Sequence, residues 1–203
     1  MVPEAFDMLL HALAAIYAGE DCEAARATTT ALITTPPPDP IGPQTPCRYD
    51  AMIRALAGER TALPAARAVA AAQHLIPWDC NPVADKMTDE ASAICSVATL
   101  MSPEGPIPAP HLRLGLFYQR PDSYYSLHNH DADETYVILA GGALWTAGED
   151  QRWRGAGSMI HHPSLLPHAF RTGPEGMLAL WRWSGDVNTH SYAFLPDPDA
   201  QAV

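Results

Sequence analysis

Residues 124–142 read YYSLHNHDADETYVILAGG, and the reading of this stretch decides the fold. His128 and His130 are two apart, so on a strand, where side chains alternate, both face one side. Glu134 follows four residues after His130, beyond a turn-like Asp131-Ala132-Asp133, and can open a returning strand. Tyr136 stands two beyond Glu134 and shares its face. The Gly141-Gly142 pair then reads as the start of a hairpin turn. Asp131 and Asp133 read as solvated turn residues, so the carboxylates of the stretch are not equivalent.

Toward the C-terminus, GSMIHHPSLLPHAFRT (157–172) sets His168 after a turn at Gly157, with Pro163 and Pro167 stiffening the approach. His128, His130, Glu134 and His168 together are three imidazoles and one carboxylate, the donors that a divalent transition metal takes. A single histidine in a strand is ordinarily a packing or surface residue. The joint spacing of these donors with the two glycines and Pro163 is what points to a metal site. Zn, Fe(II), Mn, Ni and Co all suit this set, and the ligand types do not choose among them. His161 and His162 are adjacent and must face opposite sides of a strand, so they read as packing or supporting groups.

Around this stretch the chain changes character near residue 90. After it come short apolar segments: ASAICSVATL, HLRLGLFYQR, TYVILA, ALWTAG, QRWRG, GSMIHH, HAFRT, MLALWRWS and HSYAFLP. Each reads as a strand, with Gly-Gly, Gly-Glu-Asp and Gly-Pro-Glu-Gly as turns between them. Many short strands at close spacing predict a sandwich or barrel. Before residue 90 the spacing is helical: Phe6, Leu9, Leu10, Leu13, Ile16 and Tyr17 line one face between Pro3 and Gly19. Further helices are predicted over 22–33, 48–56 and 64–75, the last opened by Pro64. TTPPPDPIGPQTP (34–46) interrupts them, because proline fixes φ and lacks a donor. The expectation is a mainly β chain, with a helical region at 1–89 and a β-barrel domain at 90–203.

Composition narrows the function. At 47% hydrophobic and 17% charged, the 203 residues can bury a core and do not read as disordered. The net charge is −11 and no Lys/Arg cluster is present, so nucleic-acid binding is not expected. An acidic field favours a cationic small molecule over an anionic one. Cys22, Cys47, Cys80 and Cys95 form no CxxC pair and read as free thiols. Glu4 and Asp7 stand where a secretory signal would be basic, and no apolar run is long enough to span a bilayer. A soluble cytoplasmic protein with no membrane partner is expected.

His128-x-His130-x3-Glu134-x6-Gly141 resembles the first cupin motif, with Pro121-Asp122 in place of the glycine that usually precedes it. Gly157-x5-Pro163-x4-His168 resembles the second, with Leu165 and Thr172 where that motif usually has Gly and Asn. The resemblance covers roughly 90–195 and implies a cupin β-barrel, the double-stranded β-helix. Tyr125, Tyr136, Trp183 and Tyr192 narrow it: with them the chain resembles the cupin dimethylsulfoniopropionate (DMSP) lyases, and its length and helical N-terminal region resemble their DddQ-like members.

That resemblance implies a carbon–sulfur lyase cleaving DMSP to dimethyl sulfide and acrylate, with the metal held by the His/Glu cluster. Tyr136 would lie beside the metal as the base for the α-proton or as a labile ligand. Tyr125, Trp183 and Tyr192 would bind the substrate, since aromatic faces suit a sulfonium; Trp145 and Trp181 are further candidate walls. Tyr125 has the wrong parity relative to His128 for a regular strand, so its inclusion demands a bulge. A free phenol, with a pKa of about 10, needs a nearby positive charge to act as a base at neutral pH. Other cupins could use the same ligands: a lyase-like enzyme of another substrate, a dioxygenase, an isomerase or a non-catalytic binding protein. The N-terminal helices could cover the barrel mouth or form a homodimer.

Overall fold

The structure is a computed structural model and describes residues 2–197 and Asp199. Met1 and Val203, the outer limits of the two expected regions, lie outside the described residues. Helices α1 (Glu4–Tyr17), α2 (Glu23–Thr34), α3 (Asp50–Ala57), α4 (Pro64–Ala72) and α5 (Asp89–Ile94) precede nine strands. The strands are β1 (Cys95–Ser102), β2 (Ile107–Pro108), β3 (Arg113–Gln119), β4 (Tyr124–Asn129) and β5 (Asp133–Ala147). They continue with β6 (Asp150–Gly155), β7 (Met159–His162), β8 (His168–Ser184) and β9 (Ala193–Phe194). One sheet contains them all, running β2-β1-β3-β8-β4-β9, while β5 pairs with β6, β7 and β8. Its ladders are antiparallel except β1 with β2, and the sheet folds over on itself as a barrel.

The helices follow from the local signals. α1 buries Phe6, Leu9, Leu10, Leu13, Ala14 and Tyr17 and packs on α2 and α4. The Cys22 thiol caps α2 by accepting from the Ala25 amide, and Pro64 occupies the first turn of α4, where its missing N–H costs nothing. The segment ASAI, expected in a strand, is helical instead. Thr88 accepts from the Ala91 amide at 3.1 Å and caps α5, so the strand begins only at Cys95.

The Gly141-Gly142 turn is also corrected. β5 runs unbroken for 15 residues through both glycines, with register shifts at 138/140 and 141/143. Its partner β8 likewise runs unbroken for 17 residues through Gly173-Pro174-Glu175-Gly176. The glycines are bulges rather than turns: Gly141 has φ +71°, and a Cβ there would lie 2.1 Å from the Gly176 carbonyl oxygen. Each bulge bends a long strand, and this lets two strands contribute to both halves of the barrel. HSYAFLP forms only the two-residue β9, and the short β2 was not expected at all.

Both faces of the central strands are buried, which explains their near-continuous apolar runs. Along β8, Met177, Ala179, Trp181 and Trp183 fall in the inner cluster. Leu178 and Leu180 fall in the outer one, with Leu114, Leu116 and Leu139 under Phe6, Leu9 and Leu13 of α1. The helical region therefore covers the rear of the strands that carry the site. Arg182 also points to that rear face, 2% exposed. It donates to Glu20 Oε2 at 2.6 Å, Glu20 Oε1 at 3.1 Å and Thr135 Oγ1 at 2.9 Å, and its guanidinium lies over the Tyr17 ring.

Burial would raise the Glu20 carboxyl, but the Arg182 guanidinium and the Cys22 thiol more than offset it and hold it below its ordinary value. Removing the carboxylate leaves a buried cation unpaired, at a cost of about 1–3 kcal/mol, reduced from that of a fully buried pair because Glu20 keeps some solvent. A depressed carboxyl contributes its stability above the unfolded pKa and loses it as pH falls through the folded one. Glu20→Gln should therefore be destabilised most at pH 7, with the deficit shrinking below about pH 4. Urea unfolding of both proteins across that range checks this.

Candidate metal centre and active site

β4 leads into the site, β5 and β7 form its floor, and the ends of β8 complete it. Glu134 pairs with both His162 and Trp183 across its two neighbouring strands, and Tyr136 pairs with Ile160 and Trp181. The parity of β5 therefore turns Glu134 and Tyr136 inward together and Thr135 outward to Arg182. His128 pairs with His168, and a register shift falls between Tyr125 and His128. This is the irregularity that parity demands for both rings to face one pocket, and their centroids lie 5.0 Å apart.

His130, Glu134 and His168, all buried, each offer one ligand atom, and these atoms lie within 4.8 Å of one another. Glu134 Oε2 is 3.3 Å from His130 Nε2 and 3.1 Å from His168 Nε2. Oε1 accepts from the Trp183 indole at 2.8 Å. His128 lies outside that three-residue group; its ring centroid is 4.0 Å from that of His168, and its Nδ1 donates to the Ser126 carbonyl at 2.9 Å.

Tautomers follow from these bonds. His168 Nδ1 donates to the Leu166 carbonyl at 2.9 Å, so its buried Nε2 presents a lone pair. That lone pair faces a carboxylate oxygen, and His168 Nε2 and His130 Nδ1 are buried without a hydrogen-bond partner among the described residues. Two acceptors facing each other are unfavourable unless a cation lies between them. The donor set thus fits a divalent metal ion, with His130, Glu134 and His168 as the residues able to hold it.

The electrostatics agree with this reading. Burial and the adjacent His168 push His128 well below the usual imidazole range, and the same causes bring His162 down to about 4. Burial would raise the Glu134 carboxyl, but hydrogen bonding and charge from His130, with a hydrogen bond from His162, hold it well below its ordinary value. The Glu134 carboxylate therefore lies beside the neutral imidazole of His162, with that of His128 close by. Burial and then the Glu134 charge push the Tyr136 phenol well above 10.

The pocket that His128, His130 and Glu134 line is walled by Phe117, Tyr125, Tyr136, Trp181, Trp183 and Tyr192, with Asn81, Pro82 and Val83 also lining it. Among the described residues, no Lys or Arg lines it. The hydroxyls of Tyr125 and Tyr192 are 2.7 Å apart, and Tyr125 also donates to Met87 Sδ at 3.0 Å. Seven of the eight site residues expected from the sequence line this pocket, and the eighth, His168, belongs to the cluster, with Nε2 3.1 Å from Glu134 Oε2.

His162 was expected only as a packing or supporting group, and the segment 81–83 was not singled out. His162 is buried against Glu134, whereas His161 points outward, as adjacent strand residues must. Its signal was alternation plus the register with Glu134, and the second needs the ladder. The segment 81–83 carries no motif; only its long-range position places it on the pocket.

Comparison with known proteins agrees with this geometry. The sequence model of the dimethylsulfoniopropionate lyase family matches residues 25–179. The DMSP lyase DddQ of Ruegeria pomeroyi is 32% identical over 173 residues, covering 79% of this chain and 83% of that protein. A putative DMSP lyase DddL of Cereibacter sphaeroides is 29% identical over 131 residues, 63% of this chain and 54% of that protein. The crystal structure of DddQ from Ruegeria pomeroyi DSS-3 superposes with a TM-score of 0.68 at 28% identity, covering 96% of this chain and 98% of that one. The barrel is a cupin barrel, and the chain belongs to the dimethylsulfoniopropionate lyase family, a family of carbon–sulfur lyases.

Proposed function

We propose that the protein cleaves DMSP to dimethyl sulfide and acrylate at a metal centre held by His130, Glu134 and His168, with His128 beside it. The observation that carries this reading is the placement of Tyr136 with Glu134 on the inner face of β5, inside an aromatic pocket lacking Lys and Arg. A divalent cation bound there supplies Lewis acidity, favouring a negative charge on a substrate carboxylate and on a nearby phenol.

Tyr136 as phenolate takes a proton from the carbon next to the carboxylate. The electron pair of that C–H bond becomes the carbon–carbon double bond as the β-carbon–sulfur bond breaks. The sulfur keeps the bonding electrons and leaves as neutral dimethyl sulfide; acrylate remains, and Tyr136 returns its proton to solvent. Burial and the Glu134 charge raise this phenol, and a positive charge beside it would oppose both. Trp183, Tyr125 and Tyr192 offer π-faces to the sulfonium, and a wall without Lys or Arg does not repel it.

A dioxygenase reading would need molecular oxygen, whereas this elimination needs no oxidant. Protein loaded in turn with Zn, Fe(II), Mn, Ni and Co, and incubated with DMSP under nitrogen, should release dimethyl sulfide into the headspace with equimolar acrylate. Absence of product with every metal would overturn the reading.

A further inference from the structure

His162 makes contacts that the proposed reaction does not use. It is 1% exposed, and its Nε2 accepts a hydrogen bond from the Trp145 indole at 2.9 Å. An indole N–H can only donate, so the neutral His162 ring must carry its proton on Nδ1. Nδ1 lies 3.3 Å from Glu134 Oε2, and the ring stacks on His168 with centroids 4.0 Å apart. Trp145 is itself fixed, 1% exposed and stacked on Phe170.

We propose that His162 is a positioning residue: Trp145 fixes its tautomer, and its Nδ1–H holds the Glu134 carboxylate opposite the Trp183 indole on the other oxygen. This rests on the reading of His130, Glu134 and His168 as a metal centre. Both His162 nitrogens are committed, so it is a support for a ligand rather than a fourth imidazole donor. With the His162 N–H on Oε2 and the Trp183 N–H on Oε1, the Glu134 carboxylate plane is set before any cation arrives. Outer partners of this kind are worth about 10–100-fold in metal affinity.

The tautomer can be read without any variant. A long-range proton–nitrogen NMR spectrum of the metal-free native protein should show His162 protonated on Nδ1 and bare on Nε2, and zinc should leave that pattern unchanged. Protonation on Nε2, or loss of the Nδ1 proton on zinc binding, would overturn the proposal.

Zinc affinity, measured by competition with a chelator, supplies the second arm. An Asn side chain sets its amide NH2 near the position of Nδ1, so His162→Asn should bind zinc within a few-fold of native. His162→Leu should bind about 10–100-fold more weakly. A leucine variant as tight as native, or an asparagine variant as weak as leucine, would contradict the assignment. Failure of the native protein to bind zinc would instead overturn the metal-centre reading, and the tautomer spectrum would still decide the role of His162.

Discussion

Tyr136→Phe should lose about 10²–10⁴-fold in kcat on DMSP while keeping its full complement of metal. The substitution removes one oxygen and leaves the ring, which is buried among Phe117, Trp145 and Phe170 and holds its place by edge-on contacts. His130, Glu134 and His168 are untouched, so metal content by elemental analysis should match native and KM should move only a few-fold. Comparable loss of metal and turnover would make Tyr136 a ligand of first importance rather than the base. Retained turnover would remove it from the chemistry.

Glu134→Gln should bind metal more than about 100-fold more weakly and lose turnover in proportion. The amide keeps one oxygen, which can still accept from the Trp183 indole, but it removes the negative charge from the centre. Its NH2 must also share the space with His162 Nδ1–H, which is already a donor at 3.3 Å in the native protein. Leaving that buried donor unpaired costs about 1–3 kcal/mol, so a modest fall in melting temperature should accompany the loss of metal. Equilibrium dialysis against the chosen metal, with a parallel melting curve, separates the two effects. A variant that binds metal as tightly as native would show that the carboxylate serves another purpose.

What the sequence made legible, and what it hid, divides along one line. Alternation within a strand needs no partner, so the inward pairing of Glu134 with Tyr136, the opposed His161 and His162, and the bulge required at Tyr125 were readable from spacing. Helices α1 and α4 were readable because proline and a periodic apolar face mark them locally. Ladder partners are not local. Gly141 and Gly176 each look like turns alone, and only their approach across β5 and β8 makes them paired bulges in long strands. The same holds for the N–H bonds to Glu134, which join residues 28 and 49 apart in sequence. At α5, the strand expected from Ala91 gives way to a helix capped by Thr88, and the strand begins at Cys95.

The most direct measurement is anomalous diffraction at the metal's absorption edge from crystals of protein that releases dimethyl sulfide. The account predicts one strong anomalous peak bounded by His130 Nε2, Glu134 Oε2 and His168 Nε2, with the Tyr136 hydroxyl facing it. No peak at that position in an active preparation, or a peak held by other residues, would contradict it.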